Sequence, residues 1–316
     1  MNRRGLWRGV ASALVALGLL ARAHAADEPP EMRAIQVAPS AWYVQGQSAL
    51  GSAANRNFIS NAGFVVTPDG VVVIDALGSP AMARLLRQTI AGITPKPVIA
   101  VILTHYHADH IYGAQVFKAA GATIIAHTRA REYMASETAR LRLNASIADG
   151  LTDADTALVE PDTWLDASTS LTFGGVRFEV LHVGPAHTPE DLAVLVPDAQ
   201  LLFAGDLVFR GRIPYVGVAD SRRWIDSLDR LLTLQVKTIV PGHGPHSTQA
   251  RDDLQLTRDY LAYLRRAMGA AAKELTPFEE AYAATDWSRW EALPLFKAAN
   301  RMNAYNTYLL MEQEKP

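Results

Sequence analysis

The sequence predicts an α/β protein in which two β-sheets pack face to face with helices on both outer surfaces, a four-layer αββα sandwich with additional C-terminal helices. Three observations predict it. Short apolar strands alternate with longer helical stretches, the alternation runs through two similar halves, and the pattern turns mostly helical after residue 247. With 316 residues and 49% hydrophobic content, the chain is large enough to bury the cores that such layers need.

The elements follow in order. Phe58–Val66 and Val71–Ile74 read as strands joined by the turn Thr67-Pro68-Asp69-Gly70. Pro80 suits the first position of a helix running to Ile90, with Ser79 as its N-cap. Val98–Leu103 is apolar throughout, as a buried strand should be. Ile111–Ala120 is helical in pattern, Thr123–Ala126 is a short strand, and Thr128 to about Ala148 is helical again. In the second half Leu171–Phe173 and Val176–Leu181 flank Gly174-Gly175 as a hairpin. Leu192–Val196, Leu201–Ala204 and Thr238–Val240 are strands, and Ser221–Leu232 is a helix. No repeat of fixed period is visible.

The N-terminus reads as an address. Arg3, Arg4 and Arg8 precede an apolar run from Val10 to Leu20, and Ala23-His24-Ala25 offers a small-x-small cleavage site. The run is about half the ~20 residues needed to span a bilayer, so a cleaved signal over residues 1–25 is expected rather than a membrane anchor. Export then delivers the protein to the periplasm by the Sec route, or by the twin-arginine route that Arg3-Arg4 permits. Residues 26–316 are expected to form a single domain, its core at about 35–250 and a C-terminal helical extension at about 251–316.

Loss of the leader removes four arginines (Arg3, Arg4, Arg8, Arg22) and no acidic residue, leaving 26 basic against 32 acidic residues and a formal charge of −6. Such a surface does not invite nucleic acid. The chain has no cysteine, which excludes disulfides, thiolate metal ligands and cysteine nucleophiles together. Any metal must be held by His, Asp or Glu.

The chemistry concentrates in His105-Tyr106-His107-Ala108-Asp109-His110. Two histidines two residues apart point to opposite sides of a helix, so a helix cannot bring His105 and His107 to one ion. A loop leaving a strand end can, and this run follows Val101-Ile102-Leu103-Thr104. Three further candidates stand near apolar strand ends beside glycine or proline turns: His187, Asp206 in Ala204-Gly205-Asp206, and His243 in Pro241-Gly242-His243-Gly244.

This ordered set resembles the metallo-β-lactamase superfamily, whose H-x-H-x-D-H motif and later His, Asp and His all match, over Ile35 to about His246. The resemblance implies that His105, His107 and His187 bind one metal, that Asp109, His110 and His243 bind a second, and that Asp206 bridges them. It implies two Zn2+ ions, with iron or manganese as alternatives for a His and carboxylate set. It implies hydrolysis by a metal-bridging hydroxide, oriented by Asp109, with no protein nucleophile. Asp75 matches the aspartate that supports the His-rich loop, which implies a hydrogen-bonding role there, against the plainer reading of a strand-end turn residue.

On the substrate side, the connection Gln45–Asn55 reads either as a flap over the groove or as a surface loop. Arg210, Arg212 and Tyr215 are candidates to engage a carboxylate or oxyanion, against the plainer reading of exposed basic residues. Tyr106 and Tyr112 are read as cleft walls or packing, and Trp287, Trp290 and Tyr305 as packing. His127 and His182 read as structural, and His246 as lying near enough to reach substrate.

Asp206 in the bridging slot, with no cysteine, resembles the glyoxalase II-like and general hydrolase branches more than the lactamases. The runs Asn61–Val66, Val73–Gly78 and Thr104–His110 resemble exported zinc metallohydrolases (SoxH-like) associated with quinoprotein relay systems and sulfur-oxidation clusters. The expected activity is therefore cleavage of an ester, thioester or related acyl bond in a small molecule, with a periplasmic quinoprotein system as partner. The alternatives are a periplasmic β-lactamase and a non-catalytic metal-binding accessory protein.

Overall fold

The computed structural model describes residues 30–314; the predicted leader lies outside them. Seven strands form one sheet in sequence order: β1 (Ala34–Ala38), β2 (Ala41–Val44), β3 (Ala62–Val66), β4 (Val71–Ile74), β5 (Val98–Ile102), β6 (Thr123–His127) and β7 (Thr163–Leu165). The first four pair antiparallel and the last four parallel. The second sheet holds β8 (Thr169–Phe173), β9 (Val176–His182), β10 (Leu192–Val196), β11 (Leu201–Phe209) and β12 (Thr238–His243), in the order β12-β11-β10-β9-β8. Among the described residues its only parallel pair is β11 with β12, the two strands that carry late site residues.

Parallel neighbours need crossovers, and helices supply them. Helix α1 (Pro80–Ala91), started by the Ser79 cap and Pro80, links β4 to β5. Helices α2 (Ala108–Ile111) and α3 (Ala114–Ala119) link β5 to β6, and α4 (Ala130–Met134) and α5 (Glu137–Ala148) link β6 to β7. Helix α6 (Ser221–Leu231) links β11 to β12; Asp220 caps it by accepting from the amides of Arg222 and Arg223. Three helices follow β12: α7 (Ala250–Lys273), α8 (Phe278–Ala284) and α9 (Phe296–Gln313).

Period-two alternation sorts the side chains into layers. Val72, Ile74, Ala100 and Ile102 meet Val180, Val194 and Phe203 between the sheets. Their neighbours Val71, Val73 and Val101 face the other way and pack with Met82, Leu86 and Phe117 of the first helical layer. On the second sheet Leu202 and Ala204 face outward against Trp224, Leu228, Leu261 and Leu264. The result is the expected αββα order, with the C-terminal helices thickening the second outer layer.

The local expectations shift in places. Strand β3 starts at Ala62 rather than Phe58, because residues 53–60 form turns. The helix expected over 111–120 breaks at Tyr112-Gly113, and the one over 128–148 breaks at Ser136, which caps α5. Strand β11 does not end at Ala204: it bulges near Gly205 and continues to Phe209, so Asp206 sits within a strand.

Candidate metal centre

Asp75, just beyond β4, organises the first part of the site. Its backbone is left-handed, φ 64°, which turns the carboxylate toward the end of β5. There it accepts from the Thr104 amide (2.8 Å), the Thr104 hydroxyl (2.9 Å) and His110 Nδ1 (2.8 Å). Because the Thr104 hydroxyl spends its proton on Asp75, it accepts from His105 Nδ1 at 3.0 Å. Both His105 and His110 therefore carry a proton on Nδ1 and turn Nε2 toward the site. His243, at the end of β12, is set the same way by donating Nδ1–H to the Ile59 carbonyl at 2.7 Å.

The segment before β3 is in turn locked onto the His243 loop by Asn61. Its side-chain amide donates to the carbonyls of Pro241 and Gly244, both at 2.8 Å, and its backbone amide donates to Gly242. Asn61 is buried, and sequence reasoning used it only as part of a matching run. Glu190 plays the corresponding part on the other side by accepting the backbone amide of Tyr106, between His105 and His107.

Seven side chains converge in two groups: His105, His107, His187 and Asp206 in one, and Asp109, His110 and His243 in the other. Within each group the potential ligand atoms all lie within 4.8 Å of one another. His107 Nδ1 is 3.1 Å from His105 Nε2 and 2.9 Å from His187 Nε2. Asp206 faces both groups. Its Oδ2 is 3.3 Å from His187 Nε2, while its Oδ1 is 3.2 Å from His110 Nε2 and 3.3 Å from His243 Nε2.

The residues fit metal ions on their own chemistry. Five imidazoles and two carboxylates make a nitrogen and oxygen set suited to zinc and similar divalent ions. Buried His110 Nε2 and Asp206 Oδ1 lack hydrogen-bond partners, a cost of about 1–3 kcal/mol each that a shared cation would remove. Burial pushes His105 well below its usual range, His107 to about 4 and His187 to about 3, so each ring stays neutral, with one nitrogen protonated and the other bare. Against the same burial, Asp206, Asp109 and Asp75 raise His110, while His243 and His110 hold the buried Asp206 carboxyl well below the usual range.

Of these side chains, His107, Asp109, His187, Asp206 and His243 floor a cavity of about 490 Å3. Arg212 enters its wall and is only 6% exposed, yet among the described residues no carboxylate lies within ion-pair distance of it. Its guanidinium lies over the Phe209 ring, and burial lowers its pKa. Tyr215 stands over the first group, its ring 6.4 Å from that of His107 and 6.3 Å from that of His187. Arg210 does not join them. The intervening Gly211 is left-handed (φ 67°) and turns Arg210 away, to pair with Asp253 of α7 at 2.9 Å.

Of the Gln45–Asn55 connection, Ala49 and Leu50 border the cavity, and Asn55 stiffens the loop by bonding to Leu50, Ser52 and Asn57. Tyr106 stacks on Tyr133 at 3.8 Å and helps wall the cavity, whereas Tyr112 is buried in the core beneath the first helical layer. His246 does not line the cavity; it packs against Tyr43. His127 and His182 stack on each other. Sequence reasoning missed Arg142 and Tyr133 from α4 and α5, and Met302 and Asn306 from α9, all at the cavity wall.

A sandwich holding clustered His and Asp side chains at the ends of its strands defines a class of metal-site protein. The chain belongs to the metallo-beta-lactamase superfamily, whose family model matches residues 55–243. It is 25% identical over 254 residues to a linear primary-alkylsulfatase of Pseudomonas sp. (strain ATCC 19151), covering 68% of this chain and 48% of that protein. It is 30% identical over 200 residues to a metallo-beta-lactamase type 2 of Bacillus cereus, covering 62% and 71%. Among solved structures it resembles the inverting sec-alkylsulfatase Pisa1 from Pseudomonas sp., with TM-score 0.71 and 20% identity, over 88% of this chain and 50% of that one. The chain thus spans about half the length of the alkylsulfatases it matches.

Proposed function

We infer that the chain is an exported hydrolase that uses two zinc ions to cleave ester, thioester or related acyl bonds in small molecules carrying a negative charge near the scissile bond. The observation that carries this reading is the placement of Asp206 between two ligand groups, on the floor of a cavity whose wall holds buried Arg212, which among the described residues forms no ion pair with a carboxylate. Zinc held by these residues would supply Lewis acidity and lower the pKa of water to about 7.

The chain's own residues do the rest. Asp109 places Oδ2 between His243 and His110, at 3.4 and 3.6 Å, which leaves its other oxygen to orient the attacking water. Among the described residues Arg212 lacks a carboxylate partner within ion-pair distance, so an anionic group on the substrate supplies one and fixes which bond lies over the ligands. Tyr215, Phe209 and Val216 line the cavity and displace water around the acyl part.

A second reading is hydrolysis of alkyl sulfates, favoured by the alkylsulfatase similarity and by the same buried cation. The lactamase relatives keep β-lactams as a third substrate class. Purified zinc-loaded protein should be assayed against neutral and carboxylate-bearing acyl esters, acyl thioesters, an alkyl sulfate and nitrocefin. Preferential turnover of the charged acyl substrates is expected; turnover of the sulfate or of nitrocefin alone replaces the acyl reading. Equal turnover by metal-free protein refutes metal-dependent chemistry. Export to the periplasm is tested by fractionation and N-terminal sequencing, with cleavage after Ala25 expected. Service to a quinoprotein system is tested by its copurification from periplasm.

Among the described residues no helix is long and apolar enough to cross a membrane.

A further inference from the structure

The segment between β11 and α6 brings Arg212 and Tyr215 to the cavity, but its hold on them comes from the C-terminal helices. Asn303 of α9 is fully buried and grips the backbone on both sides of Tyr215. Its Oδ1 accepts from the Val216 amide at 2.9 Å, and its Nδ2 donates to the Pro214 carbonyl at 2.7 Å. Asn306, one turn further, donates to the Gly217 carbonyl and itself borders the cavity beside Met302. The Ile213 amide donates to the Pro294 carbonyl at 3.0 Å, just ahead of α9.

The clamp is itself braced. Asn303 Nδ2 also donates to the Tyr260 hydroxyl of α7 at 2.9 Å; that hydroxyl donates to Asn300 at 2.8 Å, and Asn300 donates to Tyr282 of α8. Asparagine is a poor helix former, yet Asn300, Asn303 and Asn306 recur every third residue of α9 and share one side of it. An apolar residue at 303 would leave the Pro214 carbonyl and Val216 amide buried and unpaired. Gly217 completes the arrangement: it is left-handed (φ 54°), and a Cβ there would come within 3.0 Å of the Tyr215 ring.

We propose that helix α9 sets substrate selectivity, with Asn303 and Asn306 acting as positioning residues that hold Tyr215 and Arg212 over the metal ligands. Met302 and Asn306 form the wall that meets the part of the substrate remote from the scissile bond. These helices lie outside the residues matched by the family model, so this chain's selectivity is written in a part of it that the shared core does not include. The proposal rests on the cavity being the substrate site.

The test uses the full chain and two readouts. Amide hydrogen exchange over residues 210–219 should quicken about tenfold in Asn306→Ala, and more in Asn303→Ala, while residues 98–112 exchange as before. Should Asn303→Ala fail to fold, Asn303→Asp keeps the acceptor for Val216 but loses the donor to Pro214, and it should quicken exchange likewise. In kinetics on a carboxylate-bearing ester, Asn306→Ala should raise KM more than it lowers kcat. In a Tyr215→Ala background, Asn306→Ala should lower kcat/KM by a smaller factor than it does in the parent, since one of the groups it positions is gone.

Exchange in 210–219 within about twofold of the parent in every variant overturns the clamp. So does an Asn306→Ala effect that multiplies fully with that of Tyr215→Ala. If the parent turns over no acyl ester, the acyl reading fails on its own, and the exchange readout still decides the clamp.

Discussion

Replacing Asp75 by asparagine changes one atom and should loosen both metal ions. Asparagine tolerates the left-handed backbone at this position, so the strand end keeps its shape. Its remaining carbonyl oxygen still accepts from the Thr104 amide. The new amide nitrogen, however, faces two donors that now lean on Oδ2, His110 Nδ1 and the Thr104 hydroxyl. Each of those charge-assisted bonds contributes about 1.5–3 kcal/mol.

The rearrangement that relieves the clash moves the His110 proton from Nδ1 to Nε2, the nitrogen aimed at the site. It also turns the Thr104 hydroxyl toward His105 Nδ1, which drives that proton to Nε2 as well. Loss of one such supporting partner lowers metal affinity by about 10–100-fold, or roughly 1.4–2.7 kcal/mol. Competition against a chromophoric chelator measures it, and both ions should weaken within that range. Affinities within about threefold of the parent for both ions would mean that Asp75 only shapes the turn and that the tautomer argument is wrong.

Three further outcomes follow from the site. Arg212→Gln should lower kcat/KM for a carboxylate-bearing ester by about 10–100-fold and for its neutral analogue by less than about threefold; equal losses would remove Arg212 from anion recognition. Asp206→Ala should reduce the metal content measured by mass spectrometry from two ions per chain, and two tightly held ions would contradict its shared position. Glu190, raised to about 8 by burial and by the charge of Asp191, titrates near 4.5 when unfolded, so the stability its proton confers is complete below about 4.5 and is lost as pH rises to about 8. In the metal-free protein, Glu190→Gln should therefore gain on the parent by about 1.4 kcal/mol per pH unit across that window, read from urea unfolding at pH 5 and pH 8; a gap that does not change with pH would refute it.

Much of the site was legible because its signals are local. The spacing of His105 and His107 ruled out a helix, and the Thr67–Gly70 turn, the buried strand at Val98–Ile102 and the Ser79-Pro80 helix start all have short-range causes. Other features depend on partners distant in sequence. Gly205-Asp206 reads as a strand end, yet pairing with β12 carries β11 through it to Phe209. Strand β7 is three residues long and exists because β6 offers it an edge. Arg210 and Arg212 look equivalent along the chain, and only the left-handed turn at Gly211 separates their directions. Asn61, Arg142 and Asn306 reach the site or its frame from elements that only the topology brings near, so no spacing rule could have selected them.

The most direct test is a zinc titration of metal-free protein while hydrolysis of a carboxylate-bearing acyl ester is followed. Activity should be absent without metal, rise with added zinc and level off at two equivalents per chain. Full activity in the metal-free protein, or two equivalents bound tightly with no turnover of any acyl substrate, would contradict the account.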